Sequence, residues 1–425
     1  MAFLHEHIIL PLSDLATGQR VHYYLRKLRK AETWSKDRMH AFQQQRLQQL
    51  LKYAAKEVPF YREWFAARGF DPAHTTLEQL PIVNKTIMRQ AGIERFTAEH
   101  FPHLQRIASR SSGSTGEPFS FYTTQEESSV NTASKILTWQ KAGYQMGEKY
   151  MKIAYMPRGS RMKRMQDYIN NCHYVFFDSM DDQRLQDIML QIEAYRPLYL
   201  RSYPMPILML ARYRMQHPEF THRFHRIFTT GATLTHNERQ VIEAAFGCDI
   251  IDSYSCEGTP NNAETPAHDG YHTCRYFGIV EILDDNNIPV TDGIGRVVST
   301  DLWNCAHPFL RYDTQDMVEI HNGTIQRIVG RQSESIISPN GVSYTIYSFM
   351  SYFEHELESV DAYQVVRCPD GSITFRLVVN SQYTPETEQY IINHWQQRLV
   401  MPVSVSVVDN IPLMHNNKHL TIVNE

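Results

Sequence analysis

The chain has no stretch of about 18 consecutive apolar residues, the length that a membrane-spanning helix needs. Cysteine is scarce: six residues, Cys172, Cys248, Cys256, Cys274, Cys305 and Cys368, scattered with no Cys-x-x-Cys pair. That spacing argues against a disulfide framework and for a reducing compartment. Neither sign of charge dominates, since 42 Lys and Arg face 46 Asp and Glu for a net charge of −4. Such a balance gives no general pull toward nucleic acid or an anionic membrane. A signal segment is not seen at the start, where Glu6 and Pro11 break up a short apolar run. Internal repeats and low-complexity tracts are missing too. These absences point to the cytoplasm, with no transmembrane segment and no nucleic-acid partner.

What is present fits a globular protein. Hydrophobic residues make up 42% of the 425 and charged residues 21%, enough for a large domain and a smaller one. The basic cluster from Arg26 to Lys36 is interleaved with apolar residues and reads as a solvated helix face. Residues 37–70 read as helix, because Leu47, Leu50, Leu51 and Ala54 fall at i, i+3, i+4 and i+7. Val58-Pro59 should break it. Residues 125–143 and 181–195 also read as helices, and 150–155 and 198–200 as buried strands. Alternation of helix and strand over the first two-thirds implies an α/β core. Residues 277–283 and 295–300 read as a β-rich subdomain, joined by a turn at 284–287. Beyond Gly330 the texture changes to short strands and two helical stretches, near 348–358 and 385–398. The expected organisation is a large α/β domain over 1–330 with that β-rich subdomain, and a small mobile α+β lid over 331–425.

Ser111-Ser112-Gly113-Ser114-Thr115-Gly116-Glu117-Pro118 is the most informative segment. Its glycines free the backbone, and its N–H groups and hydroxyls can turn toward a polyanion. Aromatic residues Phe119, Phe121 and Tyr122 follow, so the segment reads as a strand–loop–strand hairpin. It is not a Walker loop, having no Gly-Lys-Ser/Thr at its end. A Ser/Gly surface linker would have the same composition, and the rest of the chain decides between the two.

This loop resembles the phosphate-binding loop of adenylate-forming enzymes. Further segments resemble that superfamily in the same order: Thr229-Thr230-Gly231-Ala232, the run Asp252-Ser253-Tyr254-Ser255-Cys256-Glu257-Gly258, and Pro308-Phe309-Leu310-Arg311-Tyr312-Asp313-Thr314-Gln315-Asp316. Gly330-Arg331 is similar to its hinge, and Lys418 stands where its C-terminal lysine is expected. The stretches at 53–62 and 80–85 resemble the short phenylacetate–CoA ligase and CapK-like group. The resemblance covers nearly the whole chain.

It implies ATP-dependent activation of a carboxylic acid to an acyl-AMP, followed by transfer to a thiol, of CoA or a carrier protein, or to an amine. A phosphoryl centre needs charge neutralisation and alignment more than covalent help. On that scheme Ser111, Ser112, Gly113, Ser114, Thr115 and Gly116 hold the phosphates. Gly231, Ala232, Asp252, Ser253 and Tyr254 surround the adenine. Glu257 ligates Mg2+, a hard cation that prefers oxygen. Asp316 accepts from the ribose hydroxyls, and Arg331 binds phosphate or ribose at the hinge. Lys418 bridges carboxylate and α-phosphate. Arg311 is expected in a core ion pair rather than in catalysis. The acid pocket is expected from 139–155, 200–210 and 229–257, with Tyr203, Pro204 and Met205 as candidates.

Three departures stand out. Glu257 lies three residues after Tyr254 where the superfamily has four, so either Ser253 takes the tyrosine position or the loop is one residue short. Gln315 replaces a glycine, and Asn416-Asn417 precede Lys418 without one. Cys256, His268, Cys274 and Cys305 could converge on zinc, although their spacing matches no finger and buried thiols would look the same. Cys172 beside His173 lacks a third, orienting group, which argues against a thiol nucleophile. A homodimer is compatible with all of this. Two other readings remain open: a nucleotide-binding module without chemistry, and transfer of AMP to a phenolic hydroxyl.

Overall fold

The computed structural model describes residues 2–102, 105–110, 120–179, 181–256, 258–331, 335–340, 342–345, 348–349, 352–353, 357–411 and 422–425. The long helical pattern near the start folds as two helices, Lys36–Glu57 and Pro59–Arg68. Ser35 starts the first, its hydroxyl accepting from the Arg38 N–H. Val58 is extended, as a residue before proline must be, and Pro59 opens the second helix where no N–H is needed. The Leu47, Leu50, Leu51 and Ala54 stripe is buried in a core that also holds Val21, Leu25 and Leu28 of helix Val21–Ala31.

The centre is a 12-stranded sheet with a parallel half and an antiparallel half. The parallel strands lie in the order Cys172–Phe176, Tyr150–Ala154, Tyr199–Ser202, Arg226–Thr230, Ile250–Tyr254. Helices Arg161–Ile169, Asp182–Tyr195, Pro204–Gln216 and His236–Phe246 connect them. Helix Asp182–Tyr195 begins where expected, with the Asp181 carboxylate accepting from the Arg184 N–H. One sheet face holds a core of Met151, Ile153, Leu200, Ile227 and Ile188, all nearly fully buried. The other face packs against helix Gln125–Lys141, where Trp139 stacks on Phe228 at 4.3 Å.

Asn262–Glu264 and Tyr271–Thr273 join this half to the antiparallel strands Thr324–Arg331, Tyr312–His321, Gly293–Asp301 and Gly278–Leu283. The β-rich region read from the sequence is thus continuous with the α/β core. Its 284–287 turn is held by the Asp284 carboxylate, which accepts from the N–H groups of Asn286 and Ile288. A two-residue strand, Val83–Asn84, clips in parallel onto Tyr312 and Asp313.

Strands Arg106–Arg110 and Ser120–Thr124 pair antiparallel, as the hairpin reading requires. The loop between them, 111–119, lies outside the described residues. After Arg331 comes a separate four-stranded sheet, ordered Val403–Val407, Ile373–Val379, Val360–Arg367, Ile422–Asn424. It has its own core, in which Trp395 and Ile391 of helix Pro385–Leu399 pack on Phe375 and Val365.

Candidate active site

All five parallel strands present their carboxyl ends at one edge. The first of them in the chain, Tyr150–Ala154, has the second on one side and the third on the other. Such a reversal opens a crevice outside the carboxyl ends, here between Tyr150–Ala154 and Tyr199–Ser202. Tyr155 and Tyr203 follow these two strands, and their rings stack at 5.0 Å. The Tyr155 hydroxyl and the Ser202 hydroxyl are buried without a hydrogen bond among the described residues. One strand further along, the chain turns at Gly231, whose φ is +79°. A Cβ there would lie 2.7 Å from the Tyr203 ring, so only glycine allows this approach. The Gly231-Ala232 turn is exposed at the edge.

Asp316 comes to the same edge from the antiparallel half. The pairing of Gly293–Asp301 with Tyr312–His321 slips: Val298 faces Asp313, but Arg296 faces Met317. The extra residues form a bulge. Within it the Asp313 carboxylate accepts from Gln315 N–H at 2.9 Å and the Thr314 hydroxyl accepts from Asp316 N–H at 3.0 Å. Gln315 adopts φ +62°, the left-handed region that favours glycine. This explains why a glycine suits the position, and the side chain here carries a cost of about 1 kcal/mol. The Tyr254 hydroxyl, from the last parallel strand, donates to Asp316 Oδ2 at 2.8 Å. Tyr254, not Ser253, therefore makes this link. Arg331 is the register partner of Asp316 on the next strand.

So the structure brings Gly231, Ala232, Ser253, Tyr254, Asp316 and the Arg331 backbone to one region. Asp252 is different. It is 3% exposed, with Oδ1 accepting from Thr229 at 2.5 Å and Oδ2 from Tyr271 at 2.7 Å. Both oxygens are used inside the protein, tying the two halves of the sheet together. Burial pushes its carboxyl above the usual range. Arg311 is the core residue expected: it grips Glu281 through two nitrogens at 2.9 and 3.0 Å and donates to the carbonyls of Glu78 and Leu80.

Ser111, Ser112, Gly113, Ser114, Thr115, Gly116, Glu257 and Lys418 lie outside the described residues. The flanks of Glu257 are clear: Cys256 N–H donates to the Thr259 hydroxyl at 2.7 Å, and a Cβ on Gly258 would strike Phe309 at 2.4 Å. The zinc expectation finds no support in the geometry. Among the described residues no group of three or more His, Cys, Asp and Glu side chains could hold a metal. Burial instead pushes the Cys274 thiol up to about 12 and Cys305 up to about 11, which keeps them protonated. Cys172, beside His173, is likewise a buried thiol raised to about 11. A cavity lined by Ala2, Phe3, Arg29 and Tyr144 holds none of the motif residues. The ranges expected to line the acid pocket contain Tyr155, Lys152 and Arg201 without singling them out, and Lys135 lies outside them. A lysine inside the otherwise apolar Tyr150–Ala154 strand was the available signal.

The fold has known counterparts. The chain superposes on 2-hydroxyisobutyryl-CoA ligase, in the postadenylation state with an acyl-AMP, with a TM-score of 0.71 and 18% identity, over 92% of this chain and 90% of that one. It has the adenylate-forming ligase fold. ATP-bound MatB from Rhodopseudomonas palustris shares this ligase fold at a TM-score of 0.55 and 16% identity, over 73% of this chain and 65% of that one. In sequence the chain is 24% identical over 342 residues to Protein CapK of Staphylococcus aureus, covering 75% of this chain and 72% of that one. No protein-family model matches. The same 2-hydroxyisobutyryl-CoA ligase in its open and thioesterification states superposes less well, with a TM-score of 0.58 in each case.

Proposed function

We infer that this protein is an ATP-dependent ligase that activates a carboxylic acid. It forms an acyl-AMP with release of pyrophosphate, then passes the acyl group to a thiol of CoA or a carrier protein, or to an amine. One observation carries this reading. Asp316, buried in its bulge, is held by the hydroxyl of Tyr254, whose strand end neighbours the strand that runs into the exposed Gly231 turn. A carboxylate fixed there suits two neighbouring ribose hydroxyls, with the adenine over the Gly231-Ala232 and Ser253-Tyr254 backbone. The 111–116 loop, joined to the ends of the Arg106–Arg110 and Ser120–Thr124 pair, takes the phosphates. Mg2+ belongs with Glu257 and the phosphate oxygens. The acid enters the crevice walled by Tyr155 and Tyr203.

Residues 1–330 form the core and 331–425 the lid, which carries Lys418. The separate sheet and core beyond Arg331 support this division. The better superposition on the postadenylation state supports an arrangement suited to the first half-reaction. Lys418 would place its charge between carboxylate and α-phosphate, where charge changes most in a water-excluded site. Carboxylate-dependent pyrophosphate exchange tests the reading. Lys418→Ala should cripple that exchange and affect transfer from a synthetic acyl-AMP much less. ATP binding without exchange across a broad acid library would leave only a nucleotide-binding module, and AMP transfer to a phenol without exchange would replace the acid.

A further inference from the structure

A group of cations between helix Gln125–Lys141 and the parallel strands has no role in the scheme above. Lys152 and Arg201 are register partners on neighbouring parallel strands, so both leave the same face of the sheet. That face also carries Phe228, the register partner of Arg201 on the next strand. Trp139 of the helix covers Phe228, and the Arg201 guanidinium lies 5.9 Å from the Trp139 ring. Lys135 is one turn before Trp139 and shares its side of the helix. Tyr174, the partner of Lys152 on its other side, lies 5.6 Å from the ammonium and makes an aromatic wall. Lys135, Lys152, Arg201, Trp139 and Tyr174 are all half-buried.

Among the described residues, none of the three cations has an ion pair or a side-chain hydrogen bond. Arg158 shows the contrast: it also faces Tyr174, at 4.6 Å, but Asp167 holds it through two contacts of 2.6 Å. The acid nearest in effect to Lys135 is Glu127, and it is engaged by Thr123 and by Asn131 at 3.3 Å. Burial and the charge of Arg201 hold both Lys135 and Lys152 down to about 8. Like charges brought together away from water are unfavourable unless something of opposite sign joins them. Lys152 and Arg201 stand on the two strands whose carboxyl ends flank the crevice, on the sheet face opposite the core that Tyr155 packs against. Two residues on from Lys152, on the same strand face, Ala154 projects only a methyl group at the carboxyl edge.

We propose that Lys135, Lys152 and Arg201 receive a second anionic group of the acid substrate, a carboxylate, phosphate or sulfate distinct from the carboxylate that is activated. This rests on the ligase reading and narrows it from carboxylic acids in general to dianionic ones. Arg201 supplies a planar fork for two oxygens, and the lysines supply compact charge. No covalent step is added.

The test uses the full chain and isosteric pairs of acids: terephthalate against p-toluate, and glutarate against valerate. Calorimetry measures binding of each acid and, separately, of ATP. Pyrophosphate release is measured in parallel. The dianions should bind at least tenfold more tightly than their monoanionic partners. Lys152→Met and Arg201→Met should abolish that preference while ATP affinity stays unchanged, and Lys152→Arg should keep it. Thermal melting confirms that the variants fold. Equal binding within each pair, no binding of either dianion, or a loss in the variants confined to ATP overturns the inference. A dianion preference lost in the variants, with no pyrophosphate released by any acid, sinks the ligase reading and upholds the anion site.

Discussion

Removing the Lys152 charge should make the unliganded protein more stable. The ordinary lysine value of 10.5 falls to about 8 in the fold, through burial first and then through Arg201 and Arg158. Asp167 and the Cys172 thiol act in the opposite sense but do not offset this. At about 1.4 kcal/mol per decade, the fall corresponds to roughly 3 kcal/mol against the charged form. Solvent at a half-buried ammonium weakens the penalty, so about 1–2 kcal/mol is the expectation for Lys152→Met at pH 7. The sign of the pH dependence follows. Between pH 8 and 10.5 the unfolded chain still binds the proton that the folded one has released, so wild-type stability gains from Lys152 as pH rises through that window. Below pH 8 the penalty is fully present. Urea unfolding of both proteins from pH 6.5 to 10.5 measures this as a difference, which cancels the titration of other groups. The gap should be widest near pH 7 and close toward pH 10.5. A variant less stable than wild type at pH 7, with a gap that does not change with pH, would show a satisfied ammonium and refute the reasoning.

Arg311→Met should destabilise the protein by about 3–5 kcal/mol, because it leaves the Glu281 carboxylate and two backbone carbonyls without their partner in the interior; denaturant midpoints read this directly. Asp316→Ala should weaken ATP binding by about 1.5–3 kcal/mol for each charge-assisted bond lost. Tyr254→Phe, which removes only the hydroxyl holding that carboxylate, should cost about 1 kcal/mol; calorimetry showing full ATP affinity in a folded Asp316→Ala protein removes Asp316 from the site. Cys172, Cys248, Cys274 and Cys305 should react with a thiol reagent at pH 8 at least a hundredfold more slowly in the native protein than in urea, since burial raises them to about 11 or 12.

Local rules made much of the fold legible. The stripe from Leu47 to Ala54 and the Val58-Pro59 break gave the helices Lys36–Glu57 and Pro59–Arg68 nearly to the residue. Two of the segments singled out in the sequence contribute Tyr254 and Asp316, which a hydrogen bond joins across the sheet. What local rules miss is partnership. Asp252 sits in a motif-like run, yet its carboxylate is spent on Thr229 and Tyr271, one of them 19 residues away. The sequence showed Gln315 in place of a glycine but not the bulge that holds this residue in a left-handed turn. Lys152 and Arg201 become neighbours only through the register of two parallel strands, which no spacing along the chain reveals.

The two-residue strand Val83–Asn84 has a consequence during synthesis. Its partners are Tyr312 and Asp313, 229 positions later for each pair, as 312 minus 83 shows. The Glu78 and Leu80 carbonyls wait for Arg311 in the same way. At about 5–20 residues per second, a ribosome needs roughly 10–45 s to make that stretch. For that interval the N-terminal helices have left the ribosome while the strand that anchors their trailing segment does not yet exist. Nascent chains halted before residue 311 should therefore be open to proteolysis near residues 78–84, and chains extended past the strand Tyr312–His321 should be protected there.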